Sequence, residues 1–179
     1  MQFLIISHAE HKVSNGKTYS YAPYVREMNL WLKYVDSVTI IAPKIKESIN
    51  AIDIPYEHRN LKLQKIPGIQ FRSLLSSFSS ILETPYILFV LFKECLRADH
   101  IHLRCPGNIG LLGCIVQIFF PKTIKTAKYA GNWDPKAKQP LSYKLQKWIL
   151  TNTFLTKNIQ VLVYGEWGNQ SKNIKSFFT

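Results

Sequence analysis

The stretch Phe3-Leu4-Ile5-Ile6-Ser7-His8 decides the fold, because four consecutive apolar residues pass directly into a polar loop. An uninterrupted apolar run of this length is typical of a strand buried on both faces of a parallel sheet. The next segment, Tyr24–Val35, has its apolar residues on one helical stripe, and Pro23 stands in the first turn, where a missing N–H costs nothing. Ser37–Ala42 is again apolar and β-branched, so the chain begins with a strand, a helix and a strand.

The same alternation continues to about Val163. Further short apolar runs predict strands at Leu61–Ile66, His100–Leu103, Ile124–Tyr129 and Ile159–Val163. Alternating strands and helices, with strands that are apolar throughout, predict an α/β fold: a Rossmann-like parallel sheet with helices on both faces. Ligands bind such a sheet outside the carboxyl ends of its strands, where the connecting loops meet.

Helices are predicted between these later strands. Residues 71–99 are mostly apolar, and we expect a break at Thr84-Pro85 because the residue before a proline avoids the α conformation. Gly107–Phe120 is the next predicted helix. Leu141–Leu155 is amphipathic, and five of its residues are expected to face the core: Leu141, Leu145, Trp148, Ile149 and Leu155. Apolar residues at helical spacing usually belong to a core, so we expect those of residues 71–92 to be buried as well.

The composition indicates one folded domain with an anionic partner. The 179 residues are 46% hydrophobic, and 23 Lys and Arg against 11 Asp and Glu give a net charge of +12. Nucleic acid, an anionic membrane surface and a phosphorylated small molecule all fit that charge. Three cysteines without paired or metal-ligand spacing argue against a disulfide framework or a zinc site and favour a reducing compartment.

Targeting and membrane-spanning segments are not expected. The N-terminus is apolar but lacks a basic leader and a long apolar region, so it does not resemble a signal peptide. The longest uncharged apolar stretches, Tyr86–Phe92 and Ile109–Phe120, are shorter than the ~20 residues that a spanning helix needs.

The loop after the first predicted strand, Ser7–Ala22, is long for this fold and carries the first candidate site residues. It contains a single glycine and not the G-x-G-x-x-G turn of a dinucleotide-binding domain, which disfavours an NAD-dependent dehydrogenase. His8 is the candidate catalytic residue, and Glu10 and Tyr21 are candidate acceptor-binding residues. Imidazole and carboxylate groups hydrogen-bond hydroxyls or move a proton, and a tyrosine ring stacks on the C–H face of a sugar. A metal site at His8, Glu10 and His11 is not expected, since no further ligand follows.

Two later loops carry the other candidate acceptor-binding residues. Arg104 and Asn108 lie between a predicted strand and the helix after it, where a guanidinium and backbone N–H groups suit a phosphate or carboxylate. Asn132 and Trp133 follow the strand that ends at Tyr129. Residues 122–147 hold seven lysines and one acid, which is half of the net charge. This concentration suits an anionic ligand or a phospholipid surface.

Five segments, in this order, resemble a known family: Ser7–His11, Tyr24–Trp31, His102–Asn108, Lys128–Trp133 and Tyr164–Trp167. They resemble the N-terminal half of GT-B-type glycosyltransferases of the large retaining family, family 4, that builds bacterial surface polysaccharides. The resemblance covers nearly the whole chain and rests on the order of the segments. It implies that residues 1–179 form a single Rossmann-like domain, one half of a GT-B architecture, which binds the acceptor.

The resemblance also implies partners. In the family a C-terminal domain binds the nucleotide-sugar donor; we expect that domain to be absent here, so that this chain holds no cofactor and is inactive without the donor half. The chain then represents a truncated reading frame, an excised domain or one subunit of a split enzyme completed by a separate donor-domain polypeptide. The expected acceptor is a glycan or a lipid-linked sugar, and the expected location is cytoplasmic, at the inner face of the membrane.

Two alternatives without catalysis stay open at this point. One is a basic module that docks on an anionic membrane surface through residues 71–92 and the lysine-rich segment. The other is a nucleic-acid-binding module, but the sequence carries no RRM, KH, OB or helix-turn-helix signature, so we expect no nucleic-acid partner.

Overall fold

A computed structural model describes residues 1–71, 73–134, 136–168 and 170–177. Its strands, in chain order, are β1 Gln2–Ile6, β2 Lys12–Ser14, β3 Lys17–Tyr21, β4 Ser37–Pro43, β5 Asp53–Pro55, β6 Leu61–Ile66, β7 His100–Cys105, β8 Ile124–Tyr129, β9 Ile159–Val163 and β10 Ile174–Ser176. Its helices are α1 Ala22–Leu32, α2 Leu74–Cys95, α3 Asn108–Val116, which a short 3-10 turn extends to Phe119, and α4 Leu141–Thr151.

Seven strands form a parallel sheet in the order β10-β9-β8-β7-β1-β4-β6. Alternate residues of β1 point to opposite faces: Phe3 and Ile5 pack with α1, while Leu4 and Ile6 join the larger core formed with α2, α3 and α4. The prediction of a Rossmann-like α/β fold with helices on both faces is therefore confirmed. The first strand lies between β7 and β4, so the chain changes direction across the sheet at β1.

The predicted break at Thr84-Pro85 is wrong, because α2 is continuous over 22 residues and contains Pro85. A capping box between Ser73 and Ser76 starts the helix. The Thr84 hydroxyl donates to the carbonyl oxygen of Ser80 at 2.7 Å, one turn earlier. Beyond the proline, Ile87 and other side chains are fully buried, and this burial outweighs the ~3 kcal/mol that a proline costs inside a helix.

The continuous α2 is also long and apolar enough to cross a membrane, by length and composition only. The sequence-based prediction rested on the shorter stretches Tyr86–Phe92 and Ile109–Phe120 and therefore did not indicate a helix of this length. One face of α2 is packed into the domain, where Ser80, Ile87, Leu91 and Cys95 are buried. The helix is therefore part of the core of this fold, and most of its other side chains are exposed.

The long loop after β1 is folded rather than irregular. It contains the hairpin β2–β3, and β5 pairs with β3 to complete a three-stranded antiparallel sheet. Asn15 and Gly16 have φ values of 47° and 73° at the turn, the conformation that favours Asn-Gly in tight hairpins. This small sheet was not predicted, although the Asn15-Gly16 pair is a hairpin signal.

The predicted inward face of α4 is wrong for three of its residues. Leu141, Leu145 and Trp148 are 83%, 42% and 58% exposed. Instead, Gln146, Ile149 and Leu150 face the core. Gln146 Oε1 accepts a hydrogen bond from the backbone N–H of Gly107 at 3.3 Å, and this polar contact fixes which side of the helix is buried.

Candidate functional site

A cavity of about 310 Å³ lies at the carboxyl ends of β1 and β7. These strands are neighbours in space but not in the chain, so the loops that follow them run in opposite directions over the sheet. In open α/β sheets, ligands bind in the crevice at this kind of switch point. Its lining combines residues of the three segments that follow β1, β7 and β8 and of the elements beside them: His8, Ala9, Tyr21, Tyr24, Arg104, Cys105, Pro106, Ala130, Gly131 and Tyr143.

His8 forms part of the wall and rests on the backbone of Gly107. A Cβ atom at Gly107 would lie 2.7 Å from the imidazole ring, so the glycine makes room for it. Desolvation by the surrounding atoms, and secondly the positive charge of Arg104, lower the pKa of His8 below its usual value. A neutral imidazole at pH 7 can accept a hydrogen bond or a proton from a ligand hydroxyl.

Arg104 is held in place by an acidic residue of α1. Its Nη1 atom lies 3.2 Å from Glu27 Oε2, and its guanidinium carbon lies 4.9 Å from the centre of the Tyr24 ring. The same Glu27 oxygen accepts a bond from Lys128 Nζ at 2.8 Å. The Lys128 side chain is only 3% exposed, and its ammonium lies 3.9 Å from the centre of the Phe177 ring. One carboxylate therefore neutralises part of the charge of two cations beside the cavity.

A second cavity of about 250 Å³ adjoins the first, and His8 and Tyr143 line both. Glu10 and Asn108 are part of its lining. Asn108 Nδ2 donates to the carbonyl oxygen of Ile69 at 3.2 Å, which ties the start of α3 to the loop after β6. The two cavities therefore adjoin at His8 and Tyr143 above the switch point, and we call them together the groove.

The predicted site residues therefore fall into two groups. His8, Tyr21 and Arg104 line the first cavity, and Glu10 and Asn108 line the second. Asn132 and Trp133 are absent from the described linings of these two cavities. The Oδ1 of Asn132 accepts a hydrogen bond from the backbone N–H of Asp134. Trp133 is 4% exposed and packs on Tyr129 at the edge of a different cavity, where its Nε1 donates to Gln170 at 3.0 Å. The role of each residue in binding stays a prediction.

His11 has a structural place in the described part of the chain. Its ring is fully buried, Nδ1 donates to the carbonyl oxygen of Ala9, and Nε2 accepts from the Tyr56 hydroxyl. Burial lowers its pKa to about 4, so the ring is neutral. No group of three His, Cys, Asp or Glu side chains that could hold a metal ion occurs among the described residues.

The lysines of residues 122–147 do not form one surface. Lys125 is buried, and its Nζ donates to the carbonyl oxygen of Phe120 at 2.6 Å; burial lowers its pKa to about 8. Lys128 pairs with Glu27, and Lys147 Nζ donates to the carbonyl oxygen of Asp134 at 3.3 Å. Three of the seven lysines therefore contact groups inside the domain, and the other four, Lys122, Lys136, Lys138 and Lys144, are exposed.

Three residues near the groove were not predicted: Glu27, Lys128 and Tyr143. Two of them carried a signal. Glu27 is an acid between Tyr24 and Met28 on the apolar side of α1, and Lys128 is a charged residue between Ala127 and Tyr129 in a strand that is buried after its first residue. A charged residue inside an apolar pattern indicates a buried partner of opposite charge. Tyr143, in the first turn of a helix, carried none.

A larger cavity, of about 620 Å³, lies at the opposite edge of the sheet. It surrounds Ile124 and Ile159, the first residues of β8 and β9, and its described lining includes none of the predicted site residues. Because ligands of open parallel sheets bind at the carboxyl ends of the strands, the groove around His8 is the better candidate site.

Comparisons with known proteins add a distant structural likeness. No protein-family model matches the sequence, and no curated protein matches it significantly. A solved structure with a similar chain is described as the crystal structure of UDP-N-acetylglucosamine 2-epimerase, with 13% sequence identity and a TM-score of 0.48. The match covers 83% of this chain and 38% of that one, so this chain spans well under half the length of that protein. A likeness this distant carries no functional argument, and the function has to be inferred from the groove itself.

Proposed function

We propose that this chain is the acceptor-binding half of a GT-B-type glycosyltransferase. Such an enzyme moves a sugar from a nucleotide-sugar donor to a glycan or lipid-linked acceptor during surface-polysaccharide assembly. The observation that carries the proposal is the meeting of His8, Tyr21 and Arg104 around one cavity at the switch point of a doubly wound sheet. The order of the five family-like segments along the chain supports the same assignment.

The groove suits a hydroxylated ligand. Tyr21 is 54% exposed and offers a ring face to the C–H groups of a sugar. Arg104 offers the guanidinium hydrogens that Glu27 does not use. During transfer, the acceptor oxygen bonds to the anomeric carbon while the bond to the diphosphate breaks, and the neutral His8 imidazole accepts the proton that the hydroxyl loses.

The donor is assigned to a second domain. The loop after β1, where a dinucleotide-binding domain carries its glycine-rich turn, instead forms the β2–β3 hairpin. The diphosphate of a nucleotide sugar would therefore need binding groups that this loop does not supply. The proposed location is cytoplasmic, at the inner face of the membrane, with a separate donor-domain polypeptide as partner.

Ligand binding to the 179-residue chain tests this function. The probes are a water-soluble prenyl-diphosphate-linked monosaccharide as acceptor and a panel of nucleotide sugars as donors, measured by calorimetry. We expect the acceptor probe to bind, and His8→Ala and Arg104→Ala to weaken it by at least about tenfold, the loss typical of one or two hydrogen bonds with a charged group. The matched controls, His58→Ala and Arg59→Ala, lie outside the groove and should change binding by less than about twofold.

Two results would overturn the proposal. One is tight binding of a nucleotide sugar without binding of the acceptor probe. The other is unchanged acceptor binding in both His8→Ala and Arg104→Ala, with far-ultraviolet circular dichroism showing that both variants are folded.

A further inference from the structure

The exposed face of α2 is apolar along its whole length. We call this face the α2 stripe; its members are Leu75, Phe78, Leu82, Phe89, Phe92 and Leu96, which are 41% to 84% exposed. They recur at intervals of three, four and seven residues, so they lie on one side of the helix. The expectation that these side chains belong to the core is wrong, because a different face of α2 packs on the sheet.

The α2 stripe is too large to be incidental. A helix of 22 residues is about 33 Å long, and apolar side chains follow one another over that length. The largest apolar patch on a typical soluble monomer is about 300–600 Å², and larger patches mark sites of interaction. Ile81, Tyr86 and Phe119 widen the patch, and Phe119 lies beside Phe92 with ring centres 6.2 Å apart.

Positive charges surround one end of the stripe. Lys93 is exposed on α2 beside Phe92, and Arg97 is exposed two residues after the helix ends. The ammonium of Lys62 lies 3.6 Å from Glu94, next to Arg97, while Glu94 itself is buried. Lys122 is exposed three residues after Phe119. Glu94 and the exposed Asp99 are acids at this end, so the four cations named here outnumber these two acids.

We propose that the α2 stripe docks this domain on an anionic lipid bilayer, with the helix lying in the plane of the headgroups. Apolar side chains enter the boundary between headgroups and acyl chains, and the flanking cations meet anionic headgroups. A second copy of the chain fits less well. Two parallel stripes would place Lys93 and Arg97 against the same cations of the partner, whereas a bilayer can compensate every cation at once.

Docking through α2 would also orient the groove. Ser80, on the buried side of α2, donates through its hydroxyl to the carbonyl oxygen of Gln70 at 2.9 Å and accepts from the Gln70 N–H at 3.0 Å. Gln70 lines the cavity that contains Glu10 and Asn108. The helix is thereby tied to one wall of the groove. The docking inference does not depend on the acceptor assignment, because it rests on α2 alone.

Vesicle binding tests the inference with a matched pair of variants. Leu82 in the stripe is 64% exposed, and Leu30 on α1, at the opposite face of the sheet, is 61% exposed. Leu82→Glu and Leu30→Glu therefore change net charge and surface exposure alike. In co-sedimentation with phosphatidylcholine vesicles that contain roughly 30% phosphatidylglycerol, we expect Leu82→Glu to lower the partition coefficient at least about tenfold, and Leu30→Glu to change it less than about twofold.

Two further measurements test the role of Lys93 and the depth to which the stripe enters the bilayer. Lys93→Gln should weaken binding more than Lys33→Gln, and the difference should disappear at high salt. Phe89→Trp should place an indole where brominated acyl chains quench it, while Phe154→Trp, at an exposed loop position, should not be quenched. The tryptophan variants remain informative if Leu82→Glu fails to fold.

The inference is overturned if the wild-type chain stays in the supernatant with anionic vesicles, or if Leu82→Glu and Leu30→Glu bind equally. Sedimentation equilibrium tests the alternative that a second copy of the chain covers the stripe. A dimer that Leu82→Glu abolishes, together with no vesicle binding, would show that a second copy covers the stripe.

Discussion

Removing the Glu27 carboxylate should destabilise the protein through the lysine it leaves behind. Glu27 Oε2 accepts from Lys128 at 2.8 Å and from Arg104 at 3.2 Å. In Glu27→Leu, Arg104 can turn toward water in the groove because it borders the cavity, but the Lys128 side chain is 3% exposed and has no such route. Leaving a buried charge without its partner costs about 3–5 kcal/mol, and we expect about 3 kcal/mol because the nearby Phe177 ring still attracts the ammonium.

The assays are equilibrium unfolding in urea, an uncharged denaturant that does not screen ion pairs, and thermal unfolding, both followed by circular dichroism. A domain of this length changes its melting temperature by roughly 2–4 °C per kcal/mol, so Glu27→Leu should melt roughly 6–12 °C lower. Glu47→Leu is the control, since Glu47 is 71% exposed and lies 3.9 Å from Lys12; it should cost less than about 1 kcal/mol. The double variant Glu27→Leu/Lys128→Met removes both charges and should recover at least half of the loss.

The comparison of the single and double variants can refute this reasoning. If Glu27→Leu costs less than about 1 kcal/mol, the Lys128 ammonium is either hydrated or neutral in the folded protein, and Glu27 does not stabilise it. If the double variant is less stable than the single one, the lysine contributes through its packing rather than through its charge.

Three other changes have expected outcomes. Burial holds the pKa of His11 at about 4 against about 6.5 in an unfolded chain, so between these two pH values the unfolded chain binds a proton that the folded chain does not. As the pH is lowered from 6.5 to 4, stability in urea should therefore decrease by up to about 1.4 kcal/mol per pH unit, and His11→Gln should reduce that slope. Pro85→Ala restores a backbone N–H inside α2 and should raise the unfolding free energy by about 1–3 kcal/mol; a loss of stability would contradict this. Gly107→Ala should displace the His8 ring and shift its NMR resonances. Gly168→Ala should leave them unchanged, because a Cβ atom at Gly168 would have no neighbouring atom within 4 Å.

The parallel sheet could be predicted because its central strands are apolar on both faces. The bounds of β6, β8 and β9 coincide with the predicted ones. In β8 this holds despite Lys125 and Lys128, since both lysines are buried with partners. Ligands bind at the carboxyl ends of such strands, and this rule predicted that His8 and Arg104 lie near each other, as the lining of the first cavity shows.

The buried faces of α2 and α4 and the continuity of α2 could not be predicted, because they depend on contacts between distant segments. Helical periodicity indicates that α2 and α4 have apolar faces, but not which face meets the sheet. In α4 the polar contact of Gln146 with Gly107 decides the matter. Pro85 ends a helix in isolation, but the second half of α2 is held by core packing that local preferences cannot represent.

The ion pairs in the structure change how the net charge of +12 is interpreted. Around the groove, Glu27 neutralises part of the charge of Arg104 and Lys128, and desolvation favours a neutral His8. Elsewhere Lys12 is compensated by Asp53 at 2.8 Å, with both side chains 8% exposed. The groove therefore has less uncompensated charge than the sequence indicated, and it offers one guanidinium beside groups that can bind hydroxyls. Exposed cations such as Lys93 and Lys122 lie near the end of α2 instead, so the proposed acceptor site and the proposed membrane-docking face use different parts of the molecule.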